Sequence, residues 1–293
     1  MGRLATLGWR FWCLLLACVL LALGFLRPVL PMKQPVFRYL FIVDITQSMN
    51  ARDYRLEGLP ADRLGFVKAS LREVLHDLPC GSEVGLGLFT TRTNQVLFEP
   101  LEVCAHFPAI ADALERLDWR MAWAADSSIA HGLFTAIREV AARGAGLHLA
   151  FFSDGDPFPP DDAPPPLKET FREVHGLIVG VGGVQPVPIP RLDRDNRPLG
   201  FWEYADLKDF LPPSATAGRR ELDGGYYLSR LDESYLRELA AITGLGYYRL
   251  QQPEALSAAL RAREFAEEKI VPTDMRPWLA ALALGLFLLT LAL

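Results

Sequence analysis

The sequence predicts an α/β fold: a doubly wound, mostly parallel sheet with one antiparallel hairpin strand, flanked by N- and C-terminal transmembrane segments. Three observations carry this expectation. Short apolar runs of strand character alternate with amphipathic helical runs from Val36 to Glu267, a length suited to one large α/β domain. Carboxylate and hydroxyl side chains stand just past the ends of apolar runs, where open α/β sheets collect ligands. Both chain ends are apolar, each with sixteen residues free of formal charge, Phe11 to Leu26 and Trp278 to Leu293.

Taken in order, Val36 to Val43 reads as the first strand. Leu64 to Leu78 is amphipathic, with Leu64, Val67, Leu71, Val74, Leu75 and Leu78 on one face. Glu83 to Thr90 and Gln95 to Leu101 are strands around Arg92-Thr93-Asn94, a hairpin. Ile110, Leu114 and Leu117 mark one helix, and Ile129 to Ala142 the next. Leu147 to Phe152 is a strand, Leu167 to Glu173 a helix and Val174 to Val181 a strand. A helix from Asp232 to Thr243, a strand from Gly246 to Leu250 and a helix from Pro253 to about Glu267 complete the domain. Between them lies an insertion, residues 185–230, rich in Pro, Gly and aromatic residues. It reads either as a mobile surface excursion or as a recognition element anchored by Trp202, Tyr204 and Phe210. The expected layout is an anchor over residues 1–35, a domain over 36–267 and a membrane segment over 277–293.

Each apolar end is shorter than the roughly 20 residues that cross a bilayer comfortably. Extension through Arg27 to Leu30 lengthens the first, and the absence of a small-x-small site favours an uncleaved anchor over a signal peptide. The expected location is therefore a membrane. Counting Lys and Arg beside the two segments leans towards a cytoplasmic domain. The cysteines argue the other way. Cys13 and Cys18 lie inside the first apolar run, whereas Cys80 and Cys104 each stand twelve residues from Arg92. Positions so placed on a hairpin face each other within disulfide reach, and disulfides persist in oxidising compartments, which favours the periplasm. Two free buried thiols are the alternative.

The chemistry concentrates in Tyr39 to Asn50. An apolar strand runs into Asp44, Thr46 and Ser48, a carboxylate and two hydroxyls at i, i+2 and i+4. Such hard oxygens suit a hard divalent cation such as Mg2+. They also suit an ordinary turn or helix cap. Two later segments add weight: Ser127 opens a helical run, and Asp154 ends the strand-like run from Leu147. Asp126 and Asp156 stand beside these, either tuning a metal from behind its ligands or serving as solvated turn acids.

An acid with two hydroxyls, then a hydroxyl, then an acid is the order of a metal-ion-dependent adhesion site, and the arrangement resembles the von Willebrand factor A family. The resemblance implies that Asp44, Thr46, Ser48, Ser127 and Asp154 ligate Mg2+, with Ca2+ or Mn2+ possible, some of them through water. It implies a Rossmann-like fold and a protein partner whose carboxylate completes the site. The family usually has Ser where Thr46 stands and Thr where Ser127 stands; both exchanges keep the hydroxyl. The Val43 to Asn50 run, Leu78-Pro79-Cys80-Gly81-Ser82 and the Asp118 to Trp123 run resemble the accessory proteins encoded with bacterial methanol dehydrogenase, the MxaL and MxaC type, over most of residues 36–266. That implies an assembly factor in maturation of, or metal insertion into, a periplasmic quinoprotein dehydrogenase. The alternatives are an anchored partner of a MoxR-type ATPase in a stress or assembly system, or a metal-dependent hydrolase.

No enzyme is expected, and no catalytic residue. The five histidines show no zinc spacing, and there is neither a Gly-x-Ser-x-Gly elbow nor a Walker loop. A net charge of −5 with scattered arginines offers no basic stripe to nucleic acid.

Overall fold

The computed structural model describes residues 8–123, 126–158, 174–207 and 225–292. In chain order its elements begin with α1 (Trp9–Gly24), β1 (Val29–Val36), β2 (Arg38–Asp44), α2 (Arg63–Asp77), β3 (Glu83–Thr90), β4 (Thr93–Glu102) and α3 (Val103–Glu115). There follow α4 (Ile129–Ala142), β5 (His148–Ser153), β6 (Gly176–Val181), β7 (Val187–Pro188), β8 (Pro190–Leu192), β9 (Pro198–Phe201) and α5 (Tyr204–Leu207). The last are β10 (Leu228–Ser229), α6 (Glu233–Thr243), β11 (Gly246–Leu250), α7 (Pro253–Leu260), β12 (Glu267–Asp274) and α8 (Arg276–Ala292). The chain divides into two compact units, one spanning Val36–Glu267 and the other made of its two terminal stretches.

The larger unit is built on a six-stranded sheet in the order β11-β6-β5-β2-β3-β4. All neighbours pair in parallel except β3 and β4, which form the antiparallel hairpin. Strand alternation sends each central strand's side chains to two separate cores. Tyr39, Phe41 and Val43 of β2 pack with Phe66 and Leu71 of α2, Ile110 of α3 and Leu256 of α7. Leu40 and Ile42, the intervening residues, pack with Leu133 and Ile137 of α4 and Leu239 of α6 on the opposite face. Helix starts follow local chemistry: the Asp62 carboxylate accepts from Gly65 N (2.7 Å) and that of Asp232 from Tyr235 N (3.0 Å), each capping a first turn.

Two boundaries move from their expected places. The first core strand is β2, and the chain before it forms the separate strand β1. The last helix of the domain ends at Leu260 rather than about Glu267. Past it a short 3-10 turn, Arg263–Phe265, brings the Phe265 ring against Tyr39 and His148 at 6.0 and 5.3 Å. The helix expected over Leu167 to Glu173, and Phe210, lie outside the described residues.

The flanking transmembrane segments are not supported. Among the described residues no helix is long and apolar enough to cross a membrane. α1 has 16 residues and α8 has 17. At a rise of about 1.5 Å per residue both fall short of a hydrocarbon core about 30 Å thick. The extension expected through Arg27 to Leu30 fails because Arg27 takes a positive φ of 49° before Pro28, and strand β1 starts at Val29. In this terminal unit α1 packs on α8, and β1 pairs with β12.

Cys80 and Cys104 are joined by a disulfide with a Cα–Cα distance of 5.2 Å. They sit just beyond the hairpin rather than on it: the outermost paired residues are Glu83 and Glu102, Cys80 precedes β3, and Cys104 lies in the first turn of α3. Non-reducing peptide mapping should recover Cys80 linked to Cys104. Reduction should lower unfolding stability by about 3 kcal/mol, the loop-closure entropy of a ring of this size. Alkylation of Cys80 and Cys104 themselves in the native protein would contradict this.

Candidate functional site

The register of the sheet brings the first two site residues together. β2 and β5 are parallel neighbours with Val43 opposite Phe152, so Asp44 and Ser153 emerge side by side at the carboxyl edge. Ser153 Oγ donates to Asp44 Oδ2 at 2.7 Å. The chain then turns back on itself, with the Thr46 amide and hydroxyl both donating to Asp44 Oδ1 at 2.9 and 2.7 Å. A 3-10 turn over Gln47–Asn50 places Ser48 Oγ 3.2 Å from Thr46 Oγ1. Asp44 has no solvent contact, and Thr46 and Ser48 are buried.

Ser127 arrives from another direction, on a short ladder outside the main strands. Its amide donates to Phe158 O (2.6 Å), its carbonyl accepts from Phe158 N (2.9 Å), and Ser128 N donates to Thr91 O (2.6 Å). The following helix, α4, can lie close on the sheet because residue 132 is glycine: a Cβ there would come within 2.1 Å of the buried Phe89 ring. The result is a small cavity of about 70 Å3 lined by Thr46, Ser48 and Ser127 together with Asp156. The Ser127 hydroxyl is buried and has no hydrogen-bond partner among the described residues. The space exceeds the roughly 10–15 Å3 that one water needs.

Asp154 follows Ser153, but its side chain is held on an arginine. Oδ1 accepts from Asp156 N at 3.1 Å, and Oδ2 forms an ion pair with Arg63 Nη1 at 2.7 Å. Arg63 is fully buried. Its Nε and Nη2 bind Asp53 Oδ2 at 2.9 and 2.7 Å, and Nη1 also donates to Ser229 Oγ (2.8 Å) and to Ser48 O (3.3 Å). One guanidinium thus ties the 44–48 turn, the loop after it, the end of β5 and β10. Gly182 lies against it with φ +108°, and a Cβ there would come within 2.5 Å of Arg63 Nε. The sequence reading missed Arg63. The signal was faint: a lone charge at the start of an otherwise apolar-periodic helix, with Asp53 ten residues before it.

The charges of Asp53, Asp154 and Asp156 act on this guanidinium, whereas Asp44 is held by hydroxyls and an amide. Burial, then the neighbouring Asp154 charge, pushes the Asp44 carboxyl up to about 7 against the restraint of hydrogen bonds from Thr46 and Ser153. Asp156 is also pushed up to about 7, by burial, Asp154 and Asp232, with Ser229 and Arg63 opposing. Burial pulls Arg63 down, but Asp154 and Asp53 outweigh it and hold its pKa above the usual value. The donors lining the cavity are oxygens, the local charge is under-neutralised, and one hydroxyl is unused. That chemistry fits a hard divalent cation. Asp126 stands apart, partly exposed and 3.8 Å from Arg92 Nε, as a turn acid would.

Residues 39–156 match the von Willebrand factor type A domain, and this supports a domain of that type. No curated protein matches the sequence. Among solved structures the chain is similar to BatB, a conserved hypothetical protein from Bacteroides thetaiotaomicron, at 17% identity and a TM-score of 0.53. That match covers 76% of this chain and 95% of the other. It is also similar to an aerotolerance-related membrane protein from Bacteroides fragilis, at 16% identity and a TM-score of 0.52, over 76% and 96% of the two chains. At these identities the likeness is one of fold.

Arg63→Met would leave Asp53 and Asp154 buried and uncompensated, so urea denaturation should show a loss of about 3–5 kcal/mol. Arg63→Lys should lose less, and adding Asp154→Asn to Arg63→Met should recover part of the loss. The pH dependence has a definite sign. A carboxyl held above its unfolded value, ordinarily about 4, contributes stability that is present below that value and lost as pH rises through about 7. In EDTA, Asp44→Asn should therefore gain stability relative to the parent as pH rises from 4 to 8. A constant difference across that range would contradict the electrostatic account.

Proposed function

We propose that the Val36–Glu267 domain is a divalent-cation-dependent protein-binding module in which Asp44, Thr46, Ser48, Ser127 and Asp154 hold Mg2+, with Ca2+ or Mn2+ as alternatives. The observation that carries this reading is the buried Ser127 hydroxyl, unpartnered among the described residues, in the same cavity as Thr46 and Ser48 and beside an under-neutralised Asp44. Bound there, the cation supplies positive charge for a carboxylate offered by a protein partner. Arg63 restrains Asp154, and Ser153 and Thr46 restrain Asp44, so the oxygens are set before any ligand arrives. Among the described residues Ser127 has no hydrogen-bonded base to activate it as a nucleophile, which supports binding over turnover.

Within this reading the role is that of an accessory or assembly factor. The narrower proposal is maturation of, or metal insertion into, a periplasmic quinoprotein dehydrogenase, and the Cys80–Cys104 disulfide supports an oxidising compartment such as the periplasm. A second reading, a partner of a MoxR-type ATPase in a stress or assembly system, is favoured by the similarity of fold to an aerotolerance-related protein.

Capture of partners by the tagged full chain should occur in Mg2+ and fail in EDTA and for Asp44→Ala and Ser127→Ala. Mg2+ at a hundredfold excess over its Kd should raise the stability of the parent by about 2.7 kcal/mol and leave Asp44→Ala unchanged. Capture that persists through EDTA and both variants would overturn the proposal.

A further inference from the structure

The cavity lining mixes polar and apolar side chains. Besides Thr46, Ser48, Ser127 and Asp156 its lining includes Phe158, Ile189, Trp202 and Tyr227, three of them from the insertion. This wall is built rather than draped. Ile189 N donates to Tyr227 O (3.3 Å), Tyr227 N to Trp202 O (2.8 Å) and Trp202 N to Ile189 O (3.0 Å), closing a ring of backbone bonds. Phe158 meets Tyr227 edge to face at 5.6 Å, and the Arg191 guanidinium lies 4.9 Å over the Trp202 ring. The hairpin of β8 and β9 is tied from the far side, where Trp119 Nε1 donates to Asn196 Oδ1 (2.6 Å) and Asn196 Nδ2 to Asp118 Oδ2 (2.8 Å). Two polar atoms of the lining remain unmatched among the described residues: the Ser127 hydroxyl and the buried Trp202 indole N–H. A buried donor without an acceptor is costly, and both residues line the cavity, so a ligand there with oxygen acceptors would satisfy them.

We infer that this pocket takes an acidic residue of a partner polypeptide whose sequence neighbour is a bulky apolar residue. The inference rests on the cation-binding reading above and adds its specificity. The carboxylate is drawn to the cation side of the cavity at Thr46, Ser48 and Ser127. A ligand carbonyl or carboxylate oxygen accepts the Trp202 N–H. The apolar side chain leaves water for Phe158, Ile189 and Tyr227, which a small acid would leave wet. Trp202 is the residue that sets specificity, since it offers both apolar surface and the unmatched donor.

The test uses the full chain and three acetylated tetrapeptide amides, Gly-Asp-Leu-Gly, Gly-Asp-Gly-Gly and Gly-Asn-Leu-Gly, titrated in Mg2+ and in EDTA by NMR. The Asp-Leu peptide should bind about tenfold more tightly than Asp-Gly, the discount of a partly buried apolar side chain. The Asn-Leu peptide should not bind, and EDTA should abolish binding throughout. Trp202→Phe keeps the apolar bulk and loses the donor. It should weaken Asp-Leu several-fold while leaving the thermal shift produced by Mg2+ intact. Equal affinity for Asp-Leu and Asp-Gly would overturn the inference and leave the cation reading standing, as would a Mg2+ shift with no peptide bound. Absence of the Mg2+ shift in the parent would overturn the cation reading itself.

Discussion

The carboxyl edge of the sheet depends on a single buried cation. Arg63 has no contact with solvent, and a guanidinium taken out of water is tolerated only when several charge-assisted bonds replace its hydration. Here Asp53, Asp154, Ser229 and the Ser48 carbonyl provide them. Because these groups belong to four separate segments, the cost of burying the charge is offset only when all four are in place. The ion pair therefore sets geometry more than it adds net stability. Arg63 cannot be exchanged for Lys without loss, since the two ends of its planar fork reach different carboxylates.

That arrangement divides the carboxylates into two kinds. Asp53 and Asp154 have a partner of opposite charge, whereas Asp44 is balanced only by hydroxyls and an amide. Hydrogen bonds moderate a buried charge without cancelling it, and burial with the Asp154 charge holds the Asp44 and Asp156 carboxyls above their usual range. A site that departs in this way from full local satisfaction is where function is expected to lie. The insertion adds a second departure. Its described part is pinned by Asn196 to Trp119 and by Ser229 to Arg63, and it carries the aromatic wall to the edge of the hydroxyl cluster.

Much of the fold was legible because its signals are local. The β2 run alternates between two faces of a sheet, and the α2 and α4 runs repeat apolar residues at helical spacing, so strand and helix could be told apart residue by residue. The hairpin of β3 and β4 was legible for the same reason. The ends of the chain were not. Composition there resembles a membrane span, but length in a helix is set by where the chain stops being helical, and Pro28 with its preceding residue stops α1 short. The end of α7 was equally hidden, because Phe265 answers to Tyr39 and His148, more than a hundred residues away in sequence.

For the site, the sequence by itself determined which atoms are on offer. Asp44, Thr46 and Ser48 lie within five residues, and their shared turn follows from the end of an apolar strand. Tertiary structure decided everything that depends on distance between segments. It aligned Asp44 with Ser153 through the β2–β5 register, set Ser127 in the cavity through its ladder with Thr91 and Phe158, and turned Asp154 onto Arg63. The physical reason is range. Periodicity and turn chemistry act over a few bonds and are written in neighbouring residues. Ion pairing and burial act through space, and they choose partners only after the chain has folded.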